Sequence, residues 1–462
     1  MIVPFPSGFL WGAATSAYQV EGSPLADGAG PNIWHRFAHE PGTILGGATG
    51  DVACDHYHRF QDDVALMADL GLGAYRFSMA WARLLPKGRG RMNARGFDFY
   101  DRLIDALLAR DLVPMVTLYH WDLPLGLEDK GGWLNDDTAR WFGDYADLAF
   151  RAFSDRVPYW VTINEPAVIM EKGYVLGVYA PGHRNVAEAP VVARNLLRAH
   201  GYAVQAYRDR GDGAIGIAVN LQPVWPASDS PDDRAAAERA NAWRNLQFLD
   251  PILLGQSPAE LPSMFGRDWR GLSPEDMALV RQPMDFVGVN YYTRIVVRAD
   301  PSVAPTGAAI VPSANHRTLV GWEVFPSGLT ETLVALDRRN GGVPVYVTEC
   351  GAAFADASPS AGGEVPDPER VAFLRDHIDA ARLAIDAGVD LRGFFVWSLL
   401  DNFEWNSGYA LPYGLVHVDF DTQQRTVKSS GRFFSQAARS NGERLDAAAA
   451  GARGATALPS GH

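Results

Sequence analysis

Cysteine is almost missing from this chain: its 462 residues contain two, Cys54 and Cys350, and two so distant residues define no disulfide framework. Positive charge is in deficit. Lys and Arg total 41 against 54 Asp and Glu, a net charge of −13. That argues against nucleic acid or an anionic membrane surface as a partner, because both need a basic face. No apolar run is long enough to span a bilayer. Residues 1–6 lack the basic and long apolar regions of a signal peptide, so a cytoplasmic location is the expectation. No Walker A loop is present and no Gly-rich phosphate loop follows an early strand, which counts against a nucleotide-binding open sheet and calls for no cofactor. Nothing in the sequence sets an oligomeric state.

The chain does have aromatic residues: 13 Trp, 16 Tyr and 22 Phe. Sugars present C–H faces that stack on such rings, but aromatics equally fill cores, so composition alone weighs the two readings evenly. Short apolar runs at 10–14, 74–78, 113–119, 160–164, 215–220, 286–290, 345–348 and 394–398 read as strands. Helix-period segments lie between them, at 60–70, 97–110, 137–153, 191–210, 232–249, 329–339 and 368–387. Near-continuous apolar strands alternating with helices imply a parallel sheet. Eight such strands imply an α/β fold, a single (β/α)8 TIM barrel with elaborated βα loops, over 1–445. A doubly wound sheet is the competing architecture. Segments 301–317 and 354–366 read as loops, and the Ala/Gly-rich tail 446–462 reads as disordered.

Polar and aromatic residues collect where these strands end: Gln19, Arg76, His120-Trp121, Asn164-Glu165, Asn290-Tyr291-Tyr292, Glu349 and Trp397. In a barrel they converge on the C-terminal face, where active sites are built. Two of the runs deliver a glutamate: Tyr159-Trp160-Val161-Thr162-Ile163-Asn164-Glu165-Pro166 and Val345-Tyr346-Val347-Thr348-Glu349-Cys350-Gly351. Two carboxyls facing across a pocket are the minimum apparatus for cleaving a glycosidic bond. Taken alone, Asn-Glu-Pro reads better as a helix start, and Thr-Glu-Cys-Gly as a strand-to-turn transition. Their pairing within the barrel rhythm tips the balance toward a catalytic pair. The stretch Cys54-Asp55-His56-Tyr57-His58 invites a metal reading, but Cys54 and His58 would share a helix face without His56, and no Cys-x-x-Cys accompanies them. No metal site is expected there.

From Phe5-Pro6 to about Phe434 the chain resembles the retaining β-glucosidases of glycoside hydrolase family 1. The resemblance rests on Phe9-Leu10-Trp11-Gly12-Ala13-Ala14-Thr15-Ser16-Ala17-Tyr18-Gln19-Val20-Glu21-Gly22, on Thr162-Ile163-Asn164-Glu165-Pro166, and on Ser398-Leu399-Leu400-Asp401-Asn402-Phe403-Glu404-Trp405. It implies Glu349 as nucleophile and Glu165 as acid/base, with carboxyls roughly 5–5.5 Å apart. Arg76 and Tyr292 would hold Glu349 ionised, and the surroundings of Glu165 would raise its pKa. Asn164 would bind the 2-hydroxyl. Gln19, His120, Glu404 and Trp405 would bind the 3-, 4- and 6-hydroxyls. Trp397 would underlie the ring, Trp322 would flank the aglycone, and Trp121, Asn290 and Tyr292 would complete the substrate set. The implied substrate is a small β-glucoside or cello-oligosaccharide cut from its non-reducing end, with galactoside and fucoside side activity and transglycosylation open to it. One departure is Cys350, where the family usually has Asn. Its side chain should point away from the substrate, and a thiol there is oxidisable if exposed.

Two other functions compete. A 6-phospho-β-glycosidase needs a cation near C6, where Glu404 would repel phosphate and where the placement of Lys428 decides. A non-catalytic sugar-binding barrel usually lacks one of the two glutamates, and both are present.

Overall fold

Eight parallel strands close on one another: β1 (Leu10–Ala14), β2 (Ala74–Ser78), β3 (Val113–Tyr119), β4 (Tyr159–Asn164), β5 (Ala214–Asn220), β6 (Phe286–Tyr291), β7 (Val345–Cys350) and β8 (Leu391–Trp397). Each pairs with its neighbours in sequence, and β1 closes the barrel by pairing with both β2 and β8. This computed structural model describes residues 4–360 and 363–445. The segment 446–462, expected to be disordered, lies outside them. The doubly wound alternative is excluded by closure, since an open sheet would leave β1 and β8 unpaired.

The eight expected strands are all present, with ends shifted by up to three residues. The largest shift is at β8, which starts at Leu391 rather than 394, because exposed Arg392 and the small Gly393 interrupt the apolar run. Helices follow the strands, including His56–Asp69, Ala94–Leu108, Thr138–Phe153, Ala189–Arg208, Ser327–Asn340, Pro368–Asp386 and Ser429–Arg439. After β5 the single expected helix is three consecutive pieces, Pro231–Asn241, a π-helical turn Ala242–Leu246, and Gln247–Leu254. The 301–317 segment is not wholly loop. It contains the strand Ala308–Ile310, which pairs with Ile295–Ala299, itself paired with Val224–Pro226, as a small sheet over the barrel rim. A three-residue strand bounded by Gly307 and Pro312 is too short to carry a periodic signal.

Side chains divide into two apolar layers. Ala14, Ala74, Met115, Val161, Ala218, Phe286, Tyr346 and Phe395 fill the barrel, while alternate positions such as Trp11, Phe77, Trp160 and Val347 pack outward against the helices. The interior is crowded enough to require glycine: a Cβ on Gly12 would lie 2.5 Å from the Phe395 ring. Among the described residues no helix is long and apolar enough to cross a membrane.

Candidate active site

Both glutamates stand where the barrel register breaks. β4 loses register with β5 between Val161 and Asn164, and β7 loses register with β6 between Val347 and Glu349. Such an irregularity re-aims the next side chain out of the in-out alternation. Glu165 and Glu349 thereby face one cavity of roughly 380 Å³ at the C-terminal end of the barrel, and both are buried. Asn-Glu-Pro is also the helix start that it resembles: Pro166 opens Pro166–Val168, with Glu165 at the cap and no side-chain cap bond from Asn164. A π-helical turn, Ile169–Val175, follows at once.

The two carboxyls have different partners. Arg76 donates through Nη1 to Glu349 Oε1 at 2.5 Å, and the Tyr292 hydroxyl donates to Oε2 at 2.6 Å. Glu165 Oε1 receives only neutral amides, Nδ2 of Asn290 at 2.7 Å and of Asn220 at 3.3 Å. Burial and the charge of Glu349 push Glu165 up to about 8. Burial also raises Glu349, while Arg76 and Tyr292 pull it down. The negative charge of the pair therefore belongs on Glu349, beside the guanidinium, and the proton on Glu165.

Arg76 Nη2 also donates to Asn164 Oδ1 at 2.6 Å, and Asn290 donates to the same oxygen at 3.0 Å. With its oxygen so occupied, Asn164 must present Nδ2 to His120 Nε2 at 3.1 Å. That ring nitrogen is then the acceptor, and the proton sits on Nδ1. Burial and the Arg76 charge keep His120 well below its ordinary value, hence neutral. The Trp121 indole donates to the Asn164 carbonyl at 2.9 Å. Asn290 is positioned in turn by Thr348, whose hydroxyl donates to its Oδ1 at 2.7 Å.

Of the residues expected in the site, His120, Trp121, Tyr292, Trp322, Trp397, Glu404 and Trp405 line the cavity with the two glutamates. Gln19, Arg76, Asn164 and Asn290 each hydrogen-bond a residue of this lining, Glu404, Glu349, His120 and Glu165 in turn. Gln19 is fully buried, and its Nε2 reaches Asn402 Oδ1, the Phe403 carbonyl and Glu404 Oε2 at 3.1, 2.9 and 3.2 Å, so it braces Glu404. Burial and the Glu349 charge push Glu404 to about 8. Trp405 is clasped between Trp34 and Trp121, ring centroids at 4.4 and 4.6 Å, and Trp322 leans on Tyr292 at 5.4 Å.

Sequence reasoning missed Lys172, Tyr179, Arg244 and Tyr413, which also face the cavity. They arrive on loops and π-turns with no period to mark them. Lys428 lies elsewhere: its Nζ is buried on Asp356 and Asp401, at 2.5 and 2.6 Å. Cys350 is buried in the outer layer against the helices, and burial pushes its thiol up, so it is neither exposed nor in thiolate form. The suspected metal segment is dispersed. Cys54 Sγ donates to the Asp401 carbonyl, His56 Nδ1 meets Asp63, and His58 meets Asp55.

The sequence model of Glycosyl hydrolase family 1 matches residues 1–443. Over 441 residues the chain is 46% identical to the 1,4-beta-D-glucan glucohydrolase of Thermotoga neapolitana, covering 95% of this chain and 99% of that one. It is 40% identical over 435 residues to the beta-glucosidase of Agrobacterium sp., covering 93% and 94%. The solved family 1 β-glucosidase of Thermotoga maritima superposes with a TM-score of 0.93 at 45% identity, covering 96% of this chain and 99% of that one. The same enzyme has been solved in complex with deoxynojirimycin.

Proposed function

The chain belongs to glycosyl hydrolase family 1, and from that we propose that it is a retaining, exo-acting β-glucosidase that removes terminal β-D-glucosyl residues from small glucosides and cello-oligosaccharides. The observation that carries the assignment of roles is the unequal environment of the two buried carboxyls. Glu349 carries an arginine and a phenol, and Glu165 carries neutral amides and a raised pKa.

Glu349 attacks the anomeric carbon as a carboxylate while Glu165 gives its proton to the glycosidic oxygen. The C1–O bond breaks, the alcohol leaves, and a glycosyl ester forms on Glu349. Esterification removes the Glu349 charge that had raised Glu165. Glu165, now ionised, is stabilised as a carboxylate. It takes a proton from water, whose oxygen bonds to C1, and the ester is released with net retention. Asn164 and His120, both buried and fixed in one hydrogen-bonded orientation, contact the ring hydroxyls, as do Glu404 braced by Gln19 and, nearby, Trp405. Trp397 underlies the ring, and Trp322 receives the aglycone.

Two observations weigh against a phosphoglycosidase. Lys428 is held off the cavity by Asp356 and Asp401, and Arg244, which faces the cavity, is paired with Glu171 at 2.9 Å. The decisive experiment compares kcat/KM on nitrophenyl β-glucoside and on its 6-phosphate, with proton NMR of the first-formed anomer. The unphosphorylated substrate should be preferred, β-glucose should appear first, and Glu349→Ala should lose at least about 10³-fold in kcat. An initial α-anomer, or normal turnover in Glu349→Ala, would overturn the assignment.

A further inference from the structure

A second cluster of ligating side chains lies on the rim, outside the cavity. His35 and His39 are one turn apart at the helix Ile33–Ala38, whose N-cap Asn32 accepts from the His35 backbone N–H at 2.8 Å. Asp51 faces both from the loop ahead of His56–Asp69. Its Oδ2 is 3.0 Å from His39 Nε2 and its Oδ1 is 3.4 Å from His35 Nδ1. The three ligand atoms all lie within 4.8 Å of one another.

The proton count is what makes the arrangement informative. His39 Nδ1 is 2.7 Å from the His35 carbonyl, which can only accept, so the ring proton is on Nδ1. A neutral His39 then turns the lone pair of Nε2 toward a carboxylate oxygen, acceptor against acceptor. Beside it, His35 Nδ1 and Asp51 Oδ1, both buried, face each other at 3.4 Å without a well-formed hydrogen bond. A cation at the centre satisfies all three groups at once. Tetrahedral zinc with bonds near 2.0–2.1 Å sets its ligand atoms about 3.3 Å apart; His39 Nε2 lies 3.0 Å from Asp51 Oδ2, and one ligand atom from each of the three residues fits within 4.8 Å. The His35 carbonyl on His39 Nδ1 is the outer-shell bond that fixes a ligating tautomer.

We infer that His35, His39 and Asp51 form a binding site for one divalent transition cation of the zinc class, clamping the helix Ile33–Ala38 to the 48–53 loop. Partial exposure of His39 and Asp51, at 44% and 42% of their side chains, leaves a path for the ion and for water as fourth ligand. The clamp has a structural consequence, because Trp34 on this helix packs on Trp405 of the cavity wall.

The test is zinc titration of the chelator-treated full chain by calorimetry, with Co²⁺ absorption to report coordination and thermal melts with and without Zn²⁺. One ion per chain should bind, a tetrahedral Co²⁺ spectrum should appear, and Zn²⁺ should raise Tm. Asp51→Asn and His39→Gln should each weaken binding by more than about tenfold, the loss that even outer-shell changes cause, and should abolish the Tm shift. A His183→Gln control, altering the separate His183–Glu128–Glu188 group, should bind as the parent does. Binding that survives in Asp51→Asn, or that disappears in His183→Gln, would place the ion elsewhere and overturn the inference. So would a chain that binds no zinc, and a doubly protonated His39 by NMR at neutral pH would then account for its contact with Asp51.

Discussion

Asn290 offers one amide group to two acceptors, Asn164 at 3.0 Å and Glu165 at 2.7 Å. A donor on a carboxylate favours the charged form, so it holds Glu165 below the value that burial and Glu349 alone would impose. Protonated Glu165 is the acid of the first step. kcat/KM should therefore fall as pH rises through about 8, the value for Glu165 in the free enzyme. Asn290→Ala removes the donor, so Glu165 rises further and the alkaline limb moves to higher pH, while kcat drops because Asn164 and Glu165 lose their common anchor. Glu404 also titrates near 8, but it acts on the glucosyl unit and should affect all aglycones alike. A dinitrophenyl glucoside, whose leaving group needs no proton, should show a much shallower alkaline limb than an alkyl glucoside. Equal limbs on the two substrates, or an unmoved limb in Asn290→Ala, would assign the ionisation to Glu404 instead.

At the level of elements, the site lies where strand geometry gives way. Trp121, Glu165 and Trp405 have positive φ, 80°, 48° and 50°, a region that costs non-glycine residues about 1–3 kcal/mol. Each is held by other contacts: the Trp121 indole on the Asn164 carbonyl, the Glu165 amide on the Ala218 carbonyl at 2.8 Å, and the Trp405 ring between Trp34 and Trp121. The end of β7 has no such slack. A Cβ on Gly351 would sit 1.7 Å from the Trp397 carbonyl oxygen, so Gly351→Ala must push the Glu349 strand end away from β8. A displacement of about 1 Å costs roughly 100-fold in rate. A kcat/KM loss of that size is expected, with a lower Tm, and parental kinetics would mean that the loop absorbs the methyl without moving Glu349. Much of this was legible in the sequence, because buried β-branched runs such as Val345-Tyr346-Val347 mark strands and a charged residue at their end has to be explained. The dual role of Asn290 was not, because the direction of an amide depends on barrel register. Nor was the wall made by Lys172, Tyr179, Arg244 and Tyr413, because loops carry no period. Gln19 was legible as a site residue, but its engagement with Asn402, Phe403 and Glu404 depends on a closure between β1 and β8 that spans most of the chain.

For the molecule as a whole, the site is a source of pH-dependent instability. Burial raises Glu165, Glu404 and Asp122 each to about 8, so the folded chain holds protons that the unfolded chain has already released above the ordinary carboxylate range. Stability falls with rising pH wherever the native state binds more protons. These groups therefore favour folding at acid pH and progressively lose that advantage between about 4.5 and 8, at about 1.4 kcal/mol per pH unit for a fully buried group. Asp401 and Asp63 act in the opposite sense. Lys428 and His417 hold Asp401 below its ordinary value, and His56 and Arg425 do the same for Asp63, so their contribution is present above the unfolded carboxylate value and is lost in acid. Replacing Glu165 by Gln keeps the shape and the neutral form but removes the ionisation. Melts of Glu165→Gln and the parent should coincide near pH 5 and separate by pH 8, with the inactive variant the more stable. Parallel Tm curves from pH 5 to 8 would show that Glu165 is already ionised in the resting fold, and with that the division of labour between the two carboxyls would fail. The raised pKa that lets Glu165 act as an acid near neutral pH is the same quantity that destabilises the barrel there, so a sequence selected for stability alone would not keep a carboxyl at this position.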